Sequence, residues 1–171
     1  MHVRREQPAD HDAVRAVHRA AFGQPGSDAE VAEARLTDEL REDAGFLPHL
    51  SLVAVVDDAV VGHVLATRGW LEPTGVPVLG LGPLGVVPAA QRRGAGSALV
   101  HAVVAVAEAC EERLIALLGA PEYYGRFDFR AATELGVAPP ELRWGAHFQA
   151  RRLTGPPVRG TFRYADPFGR L

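Results

Sequence analysis

The chain has 171 residues and 47% hydrophobic content, enough for one buried core, and the whole span 1–171 reads as one domain. Its 18 basic and 21 acidic side chains give a formal charge of −3, which argues against a dedicated nucleic-acid binder. The single cysteine, Cys110, excludes an intrachain disulfide; no charged-then-apolar leader opens the sequence, and Glu108, Glu111 and Glu112 interrupt the longest apolar stretch, so a cytoplasmic protein without a membrane span is expected.

Val3–Glu6 reads as a short strand. Asp10 stands where an N-cap belongs, and Ala13, Val14, Val17, Ala20, Ala21 and Phe22 then recur at helical spacing up to Gly23. After a polar stretch with Pro25, Gly26 and Ser27, Asp28 is placed to cap a second helix over Ala29–Arg41. Leu50–Val56 and Ala59–Thr67 are apolar runs joined by Asp57-Asp58, a hairpin pattern. Pro73-Thr74-Gly75 is a turn before a further strand that ends at Pro88. That strand holds Gly82, Pro83 and Gly85 among apolar residues. It is too apolar for an edge, so the glycines and proline point to a bulge. A helix from Gly94 to Cys110 is apolar on most sides. Leu114–Leu118 has the composition of a central strand, Ala120-Pro121-Glu122 begins a short helix, and Ala146–Leu153 and Thr161–Tyr164 supply later strands. The order implies an α/β or α+β domain with one helix-covered sheet.

The most informative stretch is Gln91-Arg92-Arg93-Gly94-Ala95-Gly96-Ser97-Ala98-Leu99, at the strand-to-helix junction. A helix start presents unpaired N–H groups and favours an anion. Glycines let a phosphate approach the backbone, and Arg92 and Arg93 add charge-assisted bonds. A glycine pair before a helix is, alone, more often a turn than a ligand site. Here strand, helix and arginines coincide, and a phosphate or pyrophosphate site is the physical reading. The stretch lacks the Lys-Ser/Thr of a nucleotide-hydrolysing loop, and Leu99 stands where a dinucleotide fingerprint needs its third glycine.

Val87-Pro88-x-x-Gln91-Arg92-Arg93-Gly94-x-Gly96-x-x-Leu99 resembles the acetyl-CoA signature of the GNAT superfamily of N-acetyltransferases. Leu118-Gly119-Ala120-Pro121-Glu122-Tyr123-Tyr124-Gly125-Arg126-Phe127-Asp128-Phe129 resembles that superfamily's next motif. With the Arg143-Trp144 pair and Phe148-Gln149, the chain is similar to the YhbS type. Asp128 departs from the pattern, which usually has glycine there.

The resemblance implies a mixed, twisted sheet of about six or seven strands with helices on both faces. Two central parallel strands, Leu81–Val87 and Leu114–Leu118, splay apart to admit acetyl-CoA as co-substrate, with no metal. It implies that the backbone of Leu84, Val86 and Val87 bonds the pantetheine and acetyl group. The amides of Arg93, Gly94, Ala95, Gly96, Ser97 and Ala98 then hold the pyrophosphate, with Arg92 beside them. Tyr124 maps onto the tyrosine that protonates or hydrogen-bonds the departing thiolate; a tyrosine merely packing on the cofactor is the equal alternative. Tyr123 reads as core or cofactor wall. Phe127 and Phe129 read as packing residues, Phe127 on the cofactor side.

The general base is open among Glu33, Glu39, His63, Glu141 and His147. His63 follows Gly62 in an apolar strand and reads as a satisfied structural histidine. The seven histidines lack metal-ligand spacing. Cys110 lies about 16 residues beyond the glycines, roughly 24 Å along a helix, too far for an acetyl-cysteine route. The expected function is direct acetyl transfer to a primary amine, with the amide near Val86 bonding the oxyanion. The alternatives are a CoA-binding sensor or scaffold without turnover, and transfer of another acyl group. The partners are acetyl-CoA and an amine acceptor, not nucleic acid or membrane; the sequence is compatible with a homodimer.

Overall fold

The chain runs β1 (His2–Arg5), α1 (His11–Phe22), α2 (Ala32–Glu42), β2 (Ser51–Val56), β3 (Ala59–Glu72), β4 (Val76–Val86), α3 (Ala95–Ala109), β5 (Leu114–Leu118), α4 (Pro121–Tyr124), β6 (Arg130–Ala131), β7 (Val137–Ala138), β8 (Phe148–Arg152) and β9 (Gly160–Arg163). The computed structural model describes residues 1–24 and 30–170.

The strands form one sheet in the order β1-β2-β3-β4-β5-β8-β6, with β9 also pairing β3 and β7 pairing β9. Pairing is antiparallel except at β4–β5 and β7–β9. Nine strands are described, more than the six or seven expected. The surplus is β6 and β7, each of two residues. Pieces that short have no periodicity to read.

The hairpin of β2 and β3 turns at Asp57 (φ 48°) and Asp58 (φ 62°). Both are left-handed, the conformation that matches strand twist in a two-residue hairpin and that aspartate tolerates. β3 runs past the expected Thr67 to Glu72, because its second half pairs with both β4 and β9. In β4 the register slips: Val64 faces Leu84 and Ala66 faces Leu81. Leu65 therefore opposes both Gly82 and Pro83, which is the bulge the composition implied.

Side chains alternate across β2. Leu52 and Ala54 join Leu99, Val100 and Val103 of α3 in one core. Val53 and Val55 pack with Val14 of α1 on the other face. The expectation of helices on both faces holds.

Two helix starts differ from expectation. Asp10 occupies the N-cap position of α1, but its side chain does not cap that helix. It accepts the Gln7 N–H at 2.8 Å and a two-point ion pair from Arg4 at 2.6 and 2.8 Å. A charged partner outcompetes a neutral amide for the carboxylate. The second helix begins at Ala32, with Val31 in the cap position. Asp28 lies outside the described residues.

Candidate active site at the parting of β4 and β5

β4 and β5 pair in parallel only at Leu79–Ile115 and Gly80–Ala116. Beyond Gly80, no described strand covers that edge of β4. Val87 donates its N–H to Val61 O at 2.9 Å, on the β3 side. Backbone groups alternate along an antiparallel ladder, so those of Val86 and Leu84 point away from β3, into the opening. Val87 itself is different from expectation. Its N–H is taken by Val61 and its carbonyl by Ala90 N–H at 2.9 Å, so its backbone is already satisfied. The carbonyl of Val86 accepts the Gln91 side-chain amide at 3.0 Å.

Gly94 holds the N-cap position of α3 at φ 93°, a conformation that favours glycine. The N–H groups of Ala95, Gly96 and Ser97 precede the first intrahelical bond and point outward. That first bond is Ala98 N–H to Gly94 O at 2.9 Å, so Ala98 does not offer a free amide. Arg92, at φ 57°, and Arg93 are exposed beside this start. A Cβ at Gly96 would lie 2.6 Å from the Tyr123 hydroxyl. Tyr123 thus walls the loop, under the Arg126 guanidinium at 4.6 Å.

The opening continues into a cavity of about 910 Å³. Gly82, Pro83 and Leu84 of the bulge line it together with Leu118 and Tyr124. The Tyr124 ring lies on Gly119, where an added Cβ would meet Cδ2 at 2.8 Å. Burial holds its phenol well above the usual range, so it stays protonated at neutral pH. Phe127 does not face the cavity. It is 3% exposed, stacked edge-on against His101 at 5.0 Å in the α3 core. Asp128 adopts φ 63°, the left-handed backbone the motif's usual glycine would take.

The candidate bases separate. Glu33 and Glu141 line the cavity. Glu141 is bonded to Arg143 at 2.5 Å, and Glu72, also lining, to Arg163 at 3.1 Å. No described cation pairs with Glu33. Glu39 lies elsewhere, paired with Arg35 and Arg170 at 3.7 and 3.0 Å. His147 is exposed outside the cavity, and its carbonyl accepts the Gly119 N–H. Tyr164 and Asp166 line the cavity and were not legible as site residues. The one available signal for Tyr164 was alternation with Phe162, which puts both rings on one face.

His63 is structural, as read. It is wholly buried between His18, whose Nε2 lies 2.9 Å from its Nδ1, and Ser51, whose Oγ lies 3.0 Å from its Nε2. Ser51 donates to Glu6, which also accepts from Arg41 at 2.5 Å. Since Glu6 only accepts, the chain orients as His18 to His63 to Ser51 to Glu6, each donating to the next. Burial raises Glu6, but the nearby His63 ring and the bonds from Ser51 and Arg41 outweigh it and hold the carboxyl at about 2. Burial lowers His18 to about 3 and lowers His63 as well.

A helix start with open amides, a strand edge without a described partner and a cavity lined by the bulge of the same strand make up one candidate groove. A Cβ at Gly94 would meet open space, so the groove fits a phosphate there and an extended chain along β4. That combination suits a ligand with a phosphate at one end and an extended chain behind it, as an acyl-CoA has. Residues 12–129 match the Acetyltransferase (GNAT) family, and the chain belongs to it. It is 30% identical over 167 residues to the uncharacterized N-acetyltransferase YjhQ of Escherichia coli strain K12, covering 93% of this chain and 89% of that protein. The GNAT N-acetyltransferase YhbS from Escherichia coli, solved in complex with CoA, superposes with a TM-score of 0.87 at 27% identity, over 99% of this chain and 92% of that one. A GNAT acetyltransferase from Brucella melitensis, solved in complex with acetyl-CoA, gives a TM-score of 0.78 at 30% identity over 98% and 97%. The chain is thus an acetyltransferase of this family. No described helix is long and apolar enough to cross a membrane. Among the described residues, no group of three His, Cys, Asp or Glu side chains is placed to hold a metal ion.

Proposed function

We propose that the protein transfers an acetyl group from acetyl-CoA directly to a primary amine held in the cavity, as a cytoplasmic enzyme. The observation that carries this reading is that the free edge of β4 reaches the cavity at Leu84, which lines it together with Tyr124. Acetyl-CoA supplies the activated thioester. The amides of Ala95, Gly96 and Ser97, with Arg92 and Arg93, hold its pyrophosphate. Leu84 and Val86 receive the pantetheine as an added strand would be received, and a β4 amide bonds the developing oxyanion. Tyr124, kept protonated by burial, donates to the departing sulfur. Glu33 accepts the proton that the amine sheds, through water.

The test is melting with CoA, acetyl-CoA, ATP and NAD, followed by free-thiol release over a panel of amines. CoA at 100 times its dissociation constant stabilises the fold by about 2.7 kcal/mol. A shift with ATP or NAD and none with CoA overturns the cofactor assignment. A CoA shift without thiol release for any amine leaves a CoA-binding module in its place.

A further inference from the structure

Each of the two diverging strands leads to a glycine that carries a tyrosine ring. Beyond β5 it is Tyr124 on Gly119. On β4 it is Tyr164: a Cβ at Gly80 would lie 2.8 and 2.9 Å from its Cδ1 and Cε1. Gly80 is the last β4 residue that pairs with β5, so this ring stands where the strands part. Phe162 at 4.6 Å and Phe168 at 4.5 Å hold it there. The sequence has three tyrosines, and the two just named line the cavity together. Tyr123, the third, faces the loop at Gly96.

Packing explains the ring at position 164 but not its hydroxyl. A phenylalanine would fill the same space over Gly80 against the same neighbours. The hydroxyl belongs to a residue of the cavity wall, and no described group hydrogen-bonds to it.

We propose that Tyr164 is a second phenol of the reaction centre, whose oxygen accepts a hydrogen bond from the attacking nitrogen and aims its lone pair at the carbonyl carbon. The inference rests on the acetyl-transfer reading. Tyr164 keeps its own proton throughout. The C–N bond forms and the C–S bond breaks. Sulfur takes the Tyr124 proton, one of the two protons on the attacking nitrogen leaves through water to Glu33 while the amide keeps the other, and the proton on Glu33 returns through water to Tyr124. The two tyrosines thus divide the work, Tyr164 on the acceptor side and Tyr124 on the leaving-group side.

The experiment compares wild type, Tyr164→Phe, Tyr124→Phe and the double variant. Thiol release is followed with acetyl-CoA and a panel of arylalkylamines, lysine and polyamines. Slow acetyl-CoA hydrolysis without amine reports the leaving-group side alone. Tyr164→Phe is expected to lower kcat/KM for the amine about tenfold, the size of one lost hydrogen bond. Its KM for acetyl-CoA and its hydrolysis rate stay within about twofold of wild type. Tyr124→Phe lowers both reactions together. The proposal is overturned if Tyr164→Phe uses amines at the wild-type kcat/KM. It is equally overturned if both reactions fall in parallel, or if the variant loses its CoA-stabilised melt, because the residue is then structural. Failure of acetyl transfer itself shows separately, as a wild type that releases no thiol with any amine; the proposal then falls with it.

Discussion

The two faces of the sheet both carry polar groups and treat them in opposite ways. On the α3 side, the amides that open the helix and the guanidinium groups of Arg92 and Arg93 stand at the surface. On the α1 side, Glu6, Ser51, His18 and His63 are buried and joined in one hydrogen-bonded chain that ends on Arg41. Only His18 Nδ1 and Arg41 Nε in that chain lack a partner. The difference follows from access to water. An exposed donor costs little while solvent serves it, and it is free for a ligand. A buried one costs about 1–3 kcal/mol if left unpaired, so it survives only inside a network. Open polar groups therefore suit the candidate site, and closed ones the frame that holds β3 and β4 in place.

The frame gives the largest expected effect. Glu6→Ala takes one of two carboxylates from the buried Arg41 guanidinium, leaving Asp38 at 2.6 Å, and strands the Ser51 hydroxyl, at a cost of about 3 kcal/mol, the low end for breaking a buried pair. Urea denaturation measures that loss, and CoA affinity in the folded fraction stays near wild type. A loss of CoA affinity with full stability reverses the assignment of the two faces.

Tyr124→Phe comes next. It keeps the ring on Gly119 and removes only the donor. Turnover is expected to fall about 100-fold, the low end for general acid catalysis, because a thiolate leaves readily. CoA affinity by calorimetry stays unchanged. Wild-type turnover with chemistry rate-limiting makes the tyrosine a wall of the groove.

On the open face, Gly94→Val forces a β-branched residue to φ 93°, and such backbone strain costs about 1–3 kcal/mol. That corresponds to about tenfold or more in CoA affinity once the loop rearranges. Gly96→Val acts differently, by driving the Tyr123 hydroxyl from its place 2.6 Å from the new Cβ. Unchanged CoA affinity in both variants removes this loop as the phosphate site.

The last effect is on pH. His18 falls from 6.5 to about 3 on folding, so the unfolded chain binds the extra proton between those values. Stability is full above pH 6.5 and declines as pH falls, by about 1.4 kcal/mol per pH unit for one such histidine. Glu6, lowered to about 2, adds loss in the same direction below its ordinary 4.5. In His18→Phe, urea midpoints between pH 6.5 and 4.5 flatten, whereas in Arg92→Ala they do not. Equal slopes in all three proteins place the acid sensitivity outside the buried chain.

The groove was largely legible in the sequence. Gly94, Gly96, Arg92 and Arg93 before an apolar helix mark an exposed helix start with open amides by local backbone chemistry alone. Gly82 and Pro83 in an apolar strand mark the bulge for the same reason, and Asp57-Asp58 marks the hairpin. These signals are local, carried by residues that restrict or free their own backbone. What depends on partners far along the chain was not legible. Val87 and Ala98 sit inside the motif, yet Val61 and Gly94 consume their amides, and Phe127 turns into the α3 core. His63 read as structural, but only folding brings it against His18, Ser51 and Glu6. Tyr164 follows the motifs by many residues and reaches the site because β9 returns beside β3 and Gly80 leaves room for its ring. Local sequence thus determined where the backbone is open to a ligand. Tertiary packing decided which of those open groups stay free and which distant side chains face them, because burial and pairing are settled between segments that the sequence keeps apart.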